Sequence, residues 1–232
     1  RDRLYNLYVN NGDTKRFNWS IAPFEYKEAG GKNTGVTHRE FEQGKLAEVM
    51  SQYGQERGTY QYAGDTEKTT ATKNYSRMCG KYRREYEDKN YTAINFPILR
   101  YADVLLMIAE AENEANDGPT ALAYQCLKEV RDRAGLSELS DMTQAEFRQT
   151  VKDERAMELC FEYTRRFDLI RWGEYVKNMR ALVTEAQSGN NWTQGPTNVY
   201  TYFNISSTYN YFPIPDAEMS VNKDITQNNP GW

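Results

Sequence analysis

The chain has 232 residues, a formal net charge of −4 and no sustained run of lysine or arginine. A nucleic-acid-binding protein needs a basic face that displaces counterions from phosphates, and this sequence offers none. No stretch approaches the ~20 consecutive apolar residues that span a bilayer. Aromatic residues make up 13% of the chain and 18 residues are tyrosine, a composition typical either of a binding surface or of an irregular fold filled with tyrosine.

The first 95 residues show little sustained periodicity and predict a loop-rich region. Clusters of Gly and Asn at 10–12 and 29–35 indicate turns. Alternating apolar residues from Leu4 to Val9 predict a short strand. An irregular segment of this length is usually functional or disordered, and its many aromatic residues argue against disorder.

Helical periodicity begins after Asn95-Phe96-Pro97. Apolar residues recur at helical spacing over about residues 99–116 and again from Leu122 to Ala134, where Gly135 is placed to end the second helix in the left-handed conformation. Two such helices joined by a tight turn predict an antiparallel hairpin of the tetratricopeptide (TPR) type. One pair cannot bury its own apolar face, so further helices are expected beside it.

A capping box at Thr143-Gln144-Ala145-Glu146 opens a third helical stretch, which is predicted to run to about Trp172. Gly173 marks a break, and a fourth helix follows from Tyr175 to Ala186. Residues 188–211 form a polar, tyrosine-containing loop, and two prolines force extended backbone after it.

The predicted fold class is therefore mainly α, with TPR-like helical hairpins, long irregular aromatic-rich loops and a few short strands. The predicted organisation is a loop-rich region at 1–95, a helical region at 96–188, and a loop with an extended tail at 189–232.

Four segments of residues 95–232 stand out by their order and spacing. They are Asn-Phe-Pro-Ile-Leu-Arg-Tyr-Ala-Asp-Val-Leu-Leu-Met at 95–107 with Ala-Glu-Ala-Glu-Asn-Glu at 109–114; Val-Arg-Asp-Arg-Ala-Gly-Leu at 130–136; Glu-Arg-Ala-Met-Glu-Leu-Cys-Phe-Glu at 154–162 with Arg-Arg-Phe-Asp-Leu-Ile-Arg-Trp-Gly at 165–173; and Tyr-Phe-Pro-Ile-Pro at 211–215 with the final Gln-Asn-Asn-Pro-Gly-Trp. Together they resemble the C-terminal part of the SusD/RagB family. Tyr163 departs from the pattern, because many relatives have Gly there.

The resemblance implies a non-catalytic lipoprotein on the bacterial cell surface, in the outer membrane. Such a protein captures oligosaccharide or polysaccharide, or in some members peptide, and delivers it to a SusC-like TonB-dependent transporter. It also implies a lipidated N-terminal cysteine and further TPR helices before the matched part. We therefore expect this chain to be a fragment whose membrane attachment is a missing N-terminal lipid anchor.

The densest charge cluster surrounds Glu154, Glu158 and Glu162, which share one side of the predicted helix. A glycosidase would use two such carboxylates as acid and base. Each, however, has an arginine within one or two turns, which is typical of a structural ion network. Such pairing lowers a carboxylate pKa, whereas a general acid needs a raised pKa. The sequence favours a structural role, and we predict no catalytic residue.

The sequence also indicates no cofactor and no metal. His38 is the only histidine, and a zinc site would have to combine it with cysteines scattered along the chain. No phosphate-binding glycine motif or nucleophile elbow is present. Calcium bound by loop Asp, Asn and carbonyl oxygens stays open, although no D-x-D-x-D-G run supports it.

Sugar recognition needs flat aromatic faces for the apolar side of a pyranose ring and polar neighbours for its hydroxyl groups. Four aromatic residues in polar, non-helical segments meet this description, and we predict that they stack on glycan: Trp19, Tyr60, Tyr62 and Trp192. The alternative for each is packing against the helices. Trp172, at core spacing in a helix, and Trp232, at the chain end, are predicted to be structural.

Two other functions stay open from sequence. One is a TPR-like scaffold or peptide-binding member of the same family with no sugar affinity. The other is a glycosidase-like enzyme built on the acidic helix.

Overall fold

The helical periodicity of the sequence is realised in a computed structural model of the chain. The structure describes residues 2–22, 24–29, 32–38, 78, 79, 81, 82, 95–188 and 204–232. Within these ranges it has eight α-helices and four short strands, so the prediction of a mainly α fold is confirmed. The chain forms two compact units, Arg1–Tyr163 and Thr164–Trp232. The three-part division made from the sequence stays a prediction.

The first unit opens with two helices, α1 (Asp2–Asn11) and α2 (Thr14–Ser20). Asp13 caps α2, because its side chain accepts a hydrogen bond from the Arg16 backbone N–H at 3.0 Å.

Short strands follow α2. They are β1 (Ile21–Ala22), β2 (Phe24–Ala29), β3 (Lys32–His38) and β4 (Met78–Cys79). β2 and β3 form an antiparallel hairpin, while β1 pairs antiparallel with the distant β4.

The strand predicted from Leu4 to Val9 is wrong, because these residues lie inside α1. Leu4, Leu7 and Tyr8 fit helical spacing as well as they fit alternation, and all three pack in one apolar cluster with Met157. Tyr8 is buried, and its hydroxyl donates a hydrogen bond to the Met157 carbonyl at 2.6 Å. This long-range contact favours the helix over the strand, because it requires Leu4, Leu7 and Tyr8 to share one buried face.

The main core lies between three longer helices, α3 (Tyr101–Ala115), α4 (Ala121–Ala134) and α5 (Gln144–Glu158). Five connecting residues join α3 to α4, and helices of this length that pack along each other must then run antiparallel. This arrangement fits the predicted TPR-like hairpin. The core contains the following buried residues: Leu105, Leu106, Ala109, Ala123, Cys126, Leu127, Val130, Phe147 and Val151.

Two predicted helix ends are confirmed. Gly135 has φ of +79° and its N–H donates to the carbonyls of Arg131 and Asp132, as expected for a left-handed C-cap. Thr143 and Glu146 form the capping box at the start of α5, with both hydrogen bonds present.

The prediction that the third helix runs to Trp172 is wrong, because α5 ends at Glu158. In the following connection, Phe161 and Tyr163 have φ of +66° and +61°, a left-handed conformation that cannot continue an α-helix. The connection contains no Gly or Pro, so the sequence gives no sign of the break.

The second unit contains α6 (Arg165–Arg171), α7 (Tyr175–Ser188), a 3₁₀ turn (Ser207–Asn210) and α8 (Asp216–Val221). Gly173, with φ of +70°, separates α6 from α7 as predicted. Near the C-terminus, Asn228 accepts a hydrogen bond from the Ile214 N–H at 2.7 Å and donates one to the Ile214 carbonyl. No helix among the described residues has the length and apolar character needed to cross a membrane.

Candidate ligand-binding cleft

A buried ion network lies in the first unit where α2 meets the C-terminal end of α5. Its buried members are Asp13, Arg16, Arg131, Glu154 and Glu158. A buried charge without a partner costs several kcal/mol, so each of these groups has to be neutralised inside the protein.

Glu154 is fully buried and lies between two arginines. Its Oε2 accepts a hydrogen bond from Arg131 Nη1 at 3.1 Å. Its Oε1 lies 2.6 Å from Arg16 Nη1, a charge contact without hydrogen-bond geometry. Arg16 also pairs with Asp13.

Glu158 accepts from three arginines. Arg100 Nη1 donates to Oε1 at 2.6 Å, Arg16 Nη1 donates to Oε2 at 3.0 Å, and Arg133 also donates to Oε1. Burial acts to raise the pKa of Glu158, but the charges of Arg100, Arg133 and Arg16 outweigh it and hold the pKa below its ordinary range.

Glu162 extends the network toward solvent. Arg100 Nε donates to its Oε2 at 2.7 Å and Arg100 Nη2 donates to its Oε1 at 3.0 Å, a two-pronged contact. Lys81 donates to the same carboxylate and to the Glu158 carbonyl. The turn after α5 therefore brings Glu162 to the cations that also serve Glu158.

The predicted structural ion network is present, and in the described part of the chain many of its ion pairs join the glutamates to cations that are distant in sequence. Arg155 pairs with Asp103 at 2.7 Å, and Arg171 pairs with Asp168. The cations that neutralise the three glutamates come from elsewhere in the chain: Arg16, Lys81, Arg100, Arg131 and Arg133.

A cleft of about 480 Å³ opens over this network. Its volume falls within the ~300–1,000 Å³ range of small-molecule sites. Eleven described residues line it: Arg16, Trp19, Ser20, Lys81, Tyr82, Asn95, Pro97, Arg100, Arg133, Glu158 and Glu162. The cleft therefore combines two aromatic side chains with many hydrogen-bond donors.

Trp19 is the only one of the four predicted stacking residues that the structure describes, and it lines the cleft with 55% of its surface exposed. The expectation that it lies in a non-helical segment is wrong, since it belongs to α2. Arg16 anchors α2 to Glu154 and Glu158, and Trp19 follows three residues later on the same helix. Tyr60, Tyr62 and Trp192 lie outside the described residues.

Three aromatic residues beside the cleft were missed from sequence. The ring of Tyr82, which lines the cleft, stacks on Phe96 with centroids 5.8 Å apart, and Phe96 contacts Tyr163 at 5.5 Å. Phe96 and Tyr163 are exposed. Tyr82 lies in the region predicted to be irregular, whereas Tyr163 lies in the stretch predicted to be helical. Nothing in the sequence indicates that these residues and Phe96 adjoin.

The two tryptophans predicted to be structural lie in the second unit. Trp172 is half-buried, with the guanidinium groups of Arg165 and Arg171 over its ring at 5.5 and 4.7 Å. Trp232 packs edge-on against Tyr209 at 6.0 Å.

Within the described part of the chain, no three His, Cys, Asp or Glu side chains are grouped so that they could hold a metal ion. The two carboxylates that line the cleft, Glu158 and Glu162, are both engaged by cations. The arrangement is suited to binding a polar ligand through donated hydrogen bonds and aromatic contact.

The sequence matches the SusD family over residues 5–232, and the chain belongs to this family. It is 40% identical to SusD-like protein P25 of Formosa agariphila over 129 residues, covering 54% of this chain and 22% of that protein. It is 30% identical to SusD-like protein P2 of the same organism, and the match covers 68% of this chain and 29% of that protein. The starch-binding protein SusD of Bacteroides thetaiotaomicron is 28% identical, and the match covers 60% of this chain and 22% of that protein.

The fold is similar to that of a solved SusD homolog from Bacteroides thetaiotaomicron. The TM-score is 0.72 at 27% identity, and the match covers all of this chain and 43% of that one. The chain thus spans less than a third of the length of the curated relatives and under half of the solved homolog.

Proposed function

We propose that this chain is part of a non-catalytic glycan-binding protein, which captures oligosaccharide at the bacterial surface. The observation that carries the proposal is the exposed Trp19 ring beside a cleft lined with hydrogen-bond donors. An aromatic face suits the apolar side of a pyranose, and Arg and Lys donors suit its hydroxyl oxygens. Family membership supports the same role, since one relative is named a starch-binding protein.

The electrostatics of the cleft favour binding over hydrolysis. A glycosidase needs one carboxylic acid with a raised pKa to protonate the leaving group. The pKa of Glu158 is shifted the other way, and Glu162 is clamped by Arg100 and Lys81. Glu158 is therefore not poised to donate a proton, and both carboxylates already contact cations, which argues against the glycosidase alternative.

The remaining parts of the proposal follow from the family. They are delivery of the glycan to a SusC-like TonB-dependent transporter and attachment to the outer membrane through an N-terminal lipid anchor. Additional contacts from Tyr60, Tyr62 and Trp192 are proposed separately, from their place in polar segments of the sequence. Peptide binding without sugar affinity is the competing function, and one titration distinguishes the two.

The test is calorimetric titration of the chain and of its Trp19→Ala variant with a panel of glycans and peptides. We expect saturable glycan binding that weakens about tenfold or more in Trp19→Ala, the size of loss typical of an aromatic anchor. Trp232→Ala, which removes a half-exposed tryptophan that does not line the cleft, is the matched control and should bind normally.

Full affinity in Trp19→Ala would contradict the proposed cleft. Saturable peptide binding with no response across the glycans would favour the peptide-binding function instead.

A further inference from the structure

The described lining of the cleft differs in charge from the chain as a whole. The chain has a net charge of −4, yet four of the described lining residues are basic and only two are acidic. Adding Asp13, Arg131 and Glu154 behind them gives five basic against four acidic residues, so the surplus stays positive. This positive surplus attracts an anionic ligand and gives an uncharged ligand no net attraction.

Arg133 is the most accessible of these cations. Its side chain is 59% exposed, and its one described ion pair is with Glu158. Glu158 also accepts from Arg100 and Arg16, so its neutralisation does not depend on Arg133 alone. A guanidinium group has five N–H donors, which leaves Arg133 able to bind a ligand without giving up its partner.

Arg16 adds a second observation. It lines the cleft with only 7% of its surface exposed, and its buried Nη2 has no hydrogen-bond partner among the residues that the structure describes. Burial disfavours its charge, but Glu154, Asp13 and Glu158 raise its pKa above the ordinary value and keep it cationic. Arg16 therefore contributes a positive charge to the lining of the cleft.

We propose that the saccharide bound in this cleft is acidic, with carboxylate or sulfate groups that contact Arg133 while a sugar ring stacks on Trp19. This inference rests on the proposed function and narrows its ligand class. The planar guanidinium fork matches the spacing of oxyanion oxygens, and charge-assisted hydrogen bonds are about twice as strong as neutral ones.

The experiment compares three sets of oligosaccharides of equal length by calorimetry with the 232-residue chain. One set is neutral, one contains uronic acids and one carries sulfate esters. We expect at least one acidic set to bind about tenfold or more tightly than every neutral oligosaccharide. The difference between the uronate and sulfate sets identifies which anion is recognised.

Arg133→Gln removes the charge but keeps amide donors, and we expect it to lose about tenfold in affinity for the acidic ligand. Its affinity for neutral sugars should fall by a smaller factor, because Gln keeps hydrogen-bond donors for hydroxyl oxygens but lacks the charge that an oxyanion needs. Arg148→Gln, which removes another partly exposed arginine paired with Glu114, is the matched control and should bind as the unaltered chain does. Thermal unfolding of each variant checks that the fold is kept.

A second measurement needs no variant. Raising NaCl from 50 to 300 mM should weaken binding of the acidic ligand several-fold and leave neutral binding unchanged, because salt screens exposed charges. Tighter binding of neutral glycans, or equal loss in both arginine variants, overturns the inference while the proposed function stands. Absence of binding by all three sets contradicts the proposed function itself.

Discussion

At the scale of single residues, Glu154, Glu158 and Glu162 differ in how they are neutralised. Glu154 is enclosed by two arginines, Glu158 accepts from three, and Glu162 shares Arg100 and Lys81 near the cleft. Glu158 is therefore the carboxylate that contacts the most cations among the described residues, and its removal takes one acceptor from each of three guanidinium groups.

We expect Glu158→Gln to lower the free energy of unfolding at pH 7 by about 3 kcal/mol, since breaking a buried pair leaves uncompensated charge inside the protein. Urea denaturation measures the change. Glu114→Gln, which removes an exposed carboxylate paired with Arg148, is the control and should cost less than about 1 kcal/mol. Equal small losses in both variants would mean that the network contributes little to stability.

At the scale of elements, the connection after α5 is held by contacts rather than by backbone preference. Tyr163 stands in a left-handed conformation, at the position where the family resemblance led us to expect Gly. A side chain in this conformation costs roughly 1–2 kcal/mol, which Gly avoids. The contacts of Glu162 with Arg100 and Lys81 hold the connection in this geometry.

Comparing Tyr163→Gly with Tyr163→Ala isolates this backbone cost, because both variants lose the ring contact with Phe96. We expect the glycine variant to have a free energy of unfolding about 1 kcal/mol higher than the alanine variant. Glycine also raises the conformational entropy of the unfolded chain, which reduces this difference slightly. The same two substitutions at Tyr101, in the first turn of α3, are the control. There the order should reverse, and Tyr101→Ala should be more stable than Tyr101→Gly. The same order at both positions would show that the left-handed conformation at Tyr163 is not strained.

At the scale of the whole first unit, the network joins segments far apart in the sequence. Arg16 of α2 and Glu158 of α5 are separated by 142 positions, and Lys81 and Glu162 by 81. The same ion pairs that hold these segments together also form the floor of the cleft, so stability and ligand binding depend on one set of charges.

This dependence predicts a loss of stability in acid. The folded-state pKa of Glu158 lies below its unfolded value of about 4.3, so its contribution is complete above that pH and is lost as the pH falls through the folded pKa. The stability difference between the unaltered chain and Glu158→Gln should be constant from pH 7 to about 5 and shrink below 4. Urea titrations at pH 7, 5, 4 and 3 measure it. A difference that is unchanged at pH 3 would contradict the assigned pKa shift.

The sequence by itself determined those features that depend on neighbouring residues. Helical spacing located α3 and α4, Thr143 and Glu146 formed the expected capping box, and Gly135 ended its helix in the left-handed conformation. The four ordered segments also indicated the family, which the match over residues 5–232 confirms. These signals are local, so they can be read before any tertiary contact is known.

The tertiary structure alone decided the rest. Leu4, Leu7 and Tyr8 suit a strand or a helix, and only their burial against Met157 selects the helix. Trp19 lies beside the cleft because Arg16 holds α2 to Glu154 and Glu158, which are more than 130 positions away in the sequence. Opposite charges attract over a few ångströms without regard to sequence separation, so the partners of the three glutamates, and the cleft above them, exist only once the chain has folded.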